Sequence, residues 1–159
     1  MVSIVAIAAQ ATVNERKMRM MEAVKIKLDK NGYMPKREHA TDAGADIRTP
    51  KAFVIPPRGS KSVHTGIHIE TPANHATMIK SKSGLYVKHG ITATGVVDEG
   101  FTGEIIVKLV NHGDDEVVFD VGNKIAQLVI VPVAYPDFEQ VDEIAGGDRG
   151  DNGYGSTGR

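Results

Sequence analysis

Asp98 sits in a turn-rich stretch, Gly95-Val96-Val97-Asp98-Glu99-Gly100-Phe101-Thr102-Gly103. A carboxyl with an ordinary pKa of about 3.9 is ionised at neutral pH, so it can orient a water molecule and take its proton. Gly95, just before it, lets a ligand approach the backbone closely. A second stretch, Ser81-Lys82-Ser83-Gly84-Leu85, sets hydroxyls and a glycine N–H beside an ammonium group. That combination suits an anion, with Lys82 as a compact point charge and Ser83 and Gly84 as donors. Gln127 interrupts the apolar run 125–133, and a buried polar side chain needs a partner. Asp46 closes a glycine-containing turn and opens a strand-like run. Taken singly, each has an ordinary explanation: a turn aspartate, a solvated loop, a glutamine bonded to backbone.

The elements that must position these groups are short strands. Val63, Thr65, Ile67 and Ile69 alternate along 62–69, as do the residues of 25–28, and period two is the mark of a strand with one buried face. Runs 77–79, 105–110, 117–119 and 125–133 are also rich in β-formers. Turn signals separate them at Pro56-Pro57-Arg58-Gly59, Pro72-Ala73-Asn74, His112-Gly113-Asp114-Asp115 and Val121-Gly122-Asn123. Many short strands with regular turns predict an all-β, jelly-roll-like antiparallel domain.

Three stretches divide the chain: an N-terminal extension over 1–24, a β domain over 25–145 and a glycine-rich arm over 146–159. Asn14 can cap a short helix over 15–24. The arm holds six of the 17 glycines; such a segment cannot build a core. The 159 residues, 41% hydrophobic and 25% charged, fit one globular domain. A net charge of −1 gives no electrostatic case for nucleic acid or membrane as partner. Without cysteine there is no disulfide or thiolate metal site, which is compatible with a reducing cytoplasm. The apolar residues 1–11 lack a basic lead and are too short to span a bilayer, so a signal peptide is not expected. His64 and His68, four residues apart on one strand, would lie ~13 Å from each other, too far to share one metal ion.

Five segments in order resemble the motifs of the trimeric dUTPase family: Ala43-Gly44-Ala45-Asp46-Ile47, Ser81-Lys82-Ser83-Gly84-Leu85, the 95–103 stretch, Gly122-Asn123-Lys124-Ile125-Ala126-Gln127-Leu128, and Arg149-Gly150-Asp151-Asn152-Gly153-Tyr154-Gly155-Ser156-Thr157-Gly158. The resemblance runs from about residue 25 to the end. It implies hydrolysis of dUTP to dUMP and pyrophosphate, with Mg²⁺ as cofactor, in a homotrimer with shared active sites. It implies that Asp98 activates the water attacking the α-phosphorus and that main-chain groups of 91–97, including Gly95 and Val97, read uracil. Lys82, Ser83, Gly84 and Gln127 would hold phosphate oxygens. Asp46 would hold Mg²⁺ through water, together with substrate phosphates. In the arm, N–H groups and hydroxyls around Gly155, Ser156 and Thr157 would wrap the γ-phosphate, Arg149 would add charge and Tyr154 would stack on the base, so the arm acts as a lid. Three positions depart from the family pattern. Lys82 stands for arginine and lacks its planar fork; Phe101 stands for a tyrosine that packs on deoxyribose; Tyr154 stands for phenylalanine. Lys82 and Phe101 leave room for a nucleotide-binding or regulatory protein of the same fold. A dCTP deaminase-like enzyme is a further alternative, and it would need a deamination acid/base group and lack the Gly-Tyr-Gly-Ser-Thr-Gly ending.

Overall fold

The computed structural model describes residues 23–144 and 146–147. The helix expected over 15–24 therefore falls almost wholly outside the described residues; Ala23 and Val24 carry no regular structure. Arg149, Tyr154, Gly155, Ser156 and Thr157 also lie outside them. Among the described residues there are ten strands and one helix: β1 (Ile26–Leu28), β2 (Ala45–Arg48), β3 (Phe53–Ile55), β4 (Ser60–His64), β5 (Ile67–Ile69), β6 (His75–Lys80), α1 (Ser83–His89), β7 (Ile91–Val97), β8 (Ile106–Asn111), β9 (Val117–Phe119) and β10 (Lys124–Pro132). None of these elements is a helix long and apolar enough to cross a membrane.

Every strand pair is antiparallel. The main sheet runs β2-β10-β6-β7-β8-β4, and β1-β5 and β3-β9 form two-stranded ribbons. Strand β7 divides its partners. Thr94 to Val97 pair with β6, whereas Ile91 to Ala93 pair with β8. The sheet therefore turns over along β7, so its two halves can face each other across one core. Ile47, Ile55, Ile67, Ile91, Leu109 and Ile125 fill that core and are fully buried. Each contributes about 1.5–3 kcal/mol by leaving water.

The predicted alternation over 62–69 holds for burial, because Val63, Thr65, Ile67 and Ile69 all face inward. The run is nevertheless two strands, since Gly66 takes a φ of 67° that extended backbone excludes. At this break the Thr65 hydroxyl donates to the Ile105 carbonyl at 2.6 Å and accepts from the Ile67 N–H at 3.2 Å. Strand β10 carries a register break between Lys124 and Ala126 against β2. The break lets both Ile125 and Ala126 point into the core and sets Gln127 opposite Asp46 on one side and Lys80 on the other. Helix α1 was not expected from the turn-like Ser83-Gly84; it ends with Lys88 and His89, which suit the negative pole of a helix C-terminus.

Thr65→Val conserves shape but strips a donor and an acceptor from a fully buried position. It is expected to destabilise the fold by about 1–3 kcal/mol, read as a lower urea midpoint at an unchanged denaturant slope.

Candidate active site

Two groups of side chains emerge, at opposite ends of β7. The first pairs lysines with carboxylates and gathers where β2, β6 and β10 meet. Asp46 is buried. One of its oxygens meets the Lys82 ammonium, and the other meets Lys124 Nζ at 2.8 Å. Lys124 Nζ also bonds Glu38 at 3.0 Å. Burial alone would raise the Asp46 pKa, but hydrogen bonds from Lys124 and Lys82 outweigh it and hold the carboxyl below its ordinary range. The Lys124 ammonium is correspondingly held above its ordinary value by Asp46 and then Glu38. Gln127 donates from Nε2 to the Ser81 carbonyl at 3.0 Å. A Cβ at Gly44 would come within 2.2 Å of Gln127 Oε1, so this glycine is what makes room for the glutamine. Ser83 and Gly84 open α1, whose first N–H groups have no partner within the helix.

Asp46 was expected to hold Mg²⁺ through water. Each of its oxygens faces an ammonium group, Lys82 on one side and Lys124 on the other, and Glu38 on Lys124 completes a cluster of two carboxylates and two lysines. The sequence reading overlooked Lys124, although it lies in one of the five segments; the signal was a cation three residues before Gln127 in an otherwise apolar strand.

The second group is a slot of ≈ 320 Å³ whose lining includes Gly95, Val97, Asp98, Phe101, Glu104 and Ile105. Wider clefts of ≈ 540 and ≈ 590 Å³ lie elsewhere, but the slot is the one that unites four of the expected residues. A Cβ at Gly95 would make only ordinary contact with Ile79 at 3.6 Å, so packing within the described residues does not demand glycine there. At Gly103 the opposite holds: a Cβ would sit 2.5 Å from the Phe101 ring, which lies over the bare glycine. The Asp98 side chain is exposed. Its backbone carbonyl accepts from the Phe101 N–H at 3.2 Å, closing the turn. Next to it, Glu99 Oε2 accepts from the Asn74 N–H at 2.8 Å and from the Tyr135 hydroxyl at 3.1 Å.

Ser81 links the two groups. Its hydroxyl donates to the Ala93 carbonyl at 3.1 Å and accepts from the Ala93 N–H at 2.8 Å. The chain therefore leaves β6 beside Ala93, and Asp98 stands five residues further along β7 in the other direction. At ~3.3 Å per residue this separates Ser81 from Asp98 by roughly 16 Å. Lys82, turned toward Asp46, and Asp98 thus stand at opposite ends of β7.

A family model described as dUTPase matches residues 30–158. The chain belongs to the dUTPase family. The deoxyuridine 5'-triphosphate nucleotidohydrolase of Gloeothece citriformis is 45% identical over 135 residues, covering 83% of this chain and 93% of the relative. That of Clostridium novyi is 40% identical over 135 residues, covering 83% and 95%. Among solved structures, the Staphylococcus bacteriophage 80alpha dUTPase with dUpNHpp is similar at a TM-score of 0.81 and 28% identity, over 87% of this chain and all of that one. A mutant dUTPase of S. aureus phage phi11, solved to show how a structural Mg(II) ion is coordinated, is similar at a TM-score of 0.71 and 26% identity, over 77% and 98%. The antiparallel β architecture of the described residues of this dUTPase-family chain is that of these neighbours.

The Asp46 cluster makes a prediction about acid. Its folded pKa lies below the unfolded one, so the stabilisation is complete above the unfolded value and is lost as pH falls through the folded one. Asp46→Asn is expected to cost about 2 kcal/mol at pH 7. That is less than the ~3–5 of a fully buried pair, because the lysines can swing toward water. Urea unfolding should show the gap between wild type and variant close as the pH drops below about 4.

Proposed function

We propose that this dUTPase-family chain hydrolyses dUTP to dUMP and pyrophosphate, and that Asp98 directs the attacking water. The observation that carries the reading is the exposed Asp98 carboxylate in the lining of a slot that it shares with Gly95, Val97 and Phe101. Uracil in that slot would meet the main-chain groups of β7. Cytosine carries an amine where uracil has a carbonyl, so it would leave buried groups unpaired, and the methyl of thymine would lack space. The Phe101 ring would pack on deoxyribose and exclude a 2′-hydroxyl. The nucleotidohydrolase name of the relatives favours hydrolysis over the deaminase alternative.

Lys82, Ser83, Gly84 and Gln127 would hold phosphate oxygens. Lys124 keeps Asp46 neutralised when Lys82 turns from that carboxylate to the nucleotide, so release of Lys82 leaves no bare buried charge. Mg²⁺ would neutralise charge on the triphosphate, and Asp46 is the residue that would hold it through water once Lys82 has turned away. A water oriented by Asp98 gives its proton to the carboxylate as its oxygen bonds the α-phosphorus. The bond from the α-phosphorus to the pyrophosphate oxygen breaks, and pyrophosphate leaves with that electron pair. Arg149, Tyr154, Gly155, Ser156 and Thr157 would close over base and γ-phosphate.

The reading needs a second copy of the chain, because the phosphate-holding and water-directing groups of one copy are separated along β7. A homotrimer with shared sites meets that need. The exposed Val96, Ile106, Phe138 and Ile144 support it, as apolar surface that copies of the chain can cover. The absence of cysteine fits a cytoplasmic enzyme.

Pyrophosphate release from Mg–dUTP tests the activity itself. Asp98→Asn is expected to lower turnover by at least ~10²-fold while dUTP still binds; near-normal turnover in that variant would remove Asp98 from the mechanism. Deleting residues 149–159 should cripple turnover and leave the melting of the β domain unchanged. Loss of the fold instead would make the arm structural.

A further inference from the structure

The segment after Phe101 is held by the break between β4 and β5. Glu104 Oε2 meets His64 Nδ1 at 2.7 Å, and Glu104 Oε1 accepts from the Gly66 N–H at 2.9 Å. Ile105 is fixed by Thr65 and by its own N–H, which donates to the Ile67 carbonyl at 2.8 Å. All of these reach residues 104–105. The side-chain tie to Thr102, directly after Phe101, comes from His68.

His68 Nδ1 lies 2.9 Å from the Thr102 carbonyl oxygen, and its Nε2 lies 3.0 Å from Asp29 Oδ2. A carbonyl oxygen and an ionised carboxylate can only accept. Both ring nitrogens must therefore donate, and an imidazole with two N–H groups is the charged imidazolium. Asp29 is itself anchored: its N–H donates to the Gly66 carbonyl at 2.8 Å and its carbonyl accepts from Gly32 at 3.0 Å. The surrounding charges are Lys27, 3.6 Å from Asp29 Oδ1, the His64–Glu104 pair beyond Thr102, and the exposed Lys25–Glu70 pair flanking β1 and β5. The His68 side chain is 18% exposed and that of Asp29 46%.

We propose that the His68 imidazolium is a positioning residue for the base slot: it ties the Thr102 carbonyl, and with it the Phe101 ring, to the anchored Asp29 turn, and loss of its proton loosens nucleotide capture. A neutral ring keeps one N–H and turns a lone pair toward an acceptor, so one of the two ties must open. The Asp29 hydrogen bond and then the Thr102 carbonyl hold the ring above the ordinary histidine range, against a smaller opposing effect of burial. With the folded value raised, the tie is complete below the unfolded pKa and is lost as pH rises through the folded one. His68 does not touch the water-directing carboxylate, so KM should move and kcat should hold.

The inference rests on uracil occupying the Phe101 slot, and its test separates the two ideas. In ¹⁵N-labelled full-length protein, long-range ¹H–¹⁵N spectra should show both His68 nitrogens protonated at pH 7, with the signal assigned by its loss in His68→Gln; this readout needs no nucleotide. A neutral, single-tautomer ring at pH 7 overturns the proposal. For Mg–dUTP, the wild-type KM should rise about five- to ten-fold, the worth of one hydrogen bond, as pH climbs through the transition seen by NMR, and the KM of His68→Gln should be flat across it. Asp29→Asn provides a second route, since it should move the ring's transition and the KM rise to lower pH together. A KM rise that persists in His68→Gln, or that stays in place while Asp29→Asn moves the ring, overturns the proposal. Hydrolysis at pH 6, where the tie is intact, reports on the dUTPase reading alone.

Discussion

Strand β7 is the ruler of this molecule. Its early residues are tied to Ser81 by a reciprocal pair of hydrogen bonds through Ala93, and its far end delivers Asp98 into solvent. Between them the strand is paired on β8 and then on β6, so its length is not adjustable. The Lys82–Asp46–Lys124 cluster at one end and Asp98 at the other are thereby kept apart within each chain. Chemistry that needs both is met by drawing them from different copies, and the exposed apolar residues Val96 and Ile106 in the lining of the slot are consistent with that arrangement.

Electrostatics at the two ends are arranged differently. At the Ser81 end a buried carboxylate carries two ammonium groups, so one of them can leave without exposing an unpaired charge. At the Asp98 end the carboxylate is open to water, as a group that must handle a solvent molecule needs to be. The loop between Asp98 and Ile106 is stitched on both sides, by Glu99 to the Asn74 turn, by Glu104 to the β4–β5 break and by Thr102 to His68 of β5. A short, exposed, glycine-containing turn thus has the rigidity that orienting a water requires.

Much of this was legible in the residues themselves. Alternation along 62–69 correctly named the buried face, because burial follows period two even where the strand breaks. Asp98, Gly95, Val97 and Phe101 fall in one slot because they are close in sequence and one strand and turn can carry them. Helix α1 was hidden: its seven residues include Gly84 and β-branched Val87 and bury none of their number, so neither propensity nor periodicity marks it. Strand β3 has three residues, too few for a pattern. Lys124 and the Asp46 pairing were invisible for another reason. Their contact joins residues 78 positions apart across adjacent strands, and the register break in β10 that aims them is a property of packing. The position of the arm carrying Arg149, Tyr154, Gly155, Ser156 and Thr157 lies outside the described residues.

The separation along β7 is tested most directly by mixing two crippled chains. Lys82→Ala and Asp98→Asn subunits, each nearly inactive as a pure assembly, are unfolded together in equal amounts, refolded and assayed for pyrophosphate release from Mg–dUTP. If each site takes Lys82 from one copy and Asp98 from another, roughly a quarter of the sites in random mixed assemblies regain both groups, and activity should return to about that fraction of wild type. Activity no higher than that of the two separate variants, in assemblies verified to be mixed, would mean that one chain supplies both groups and would contradict the account.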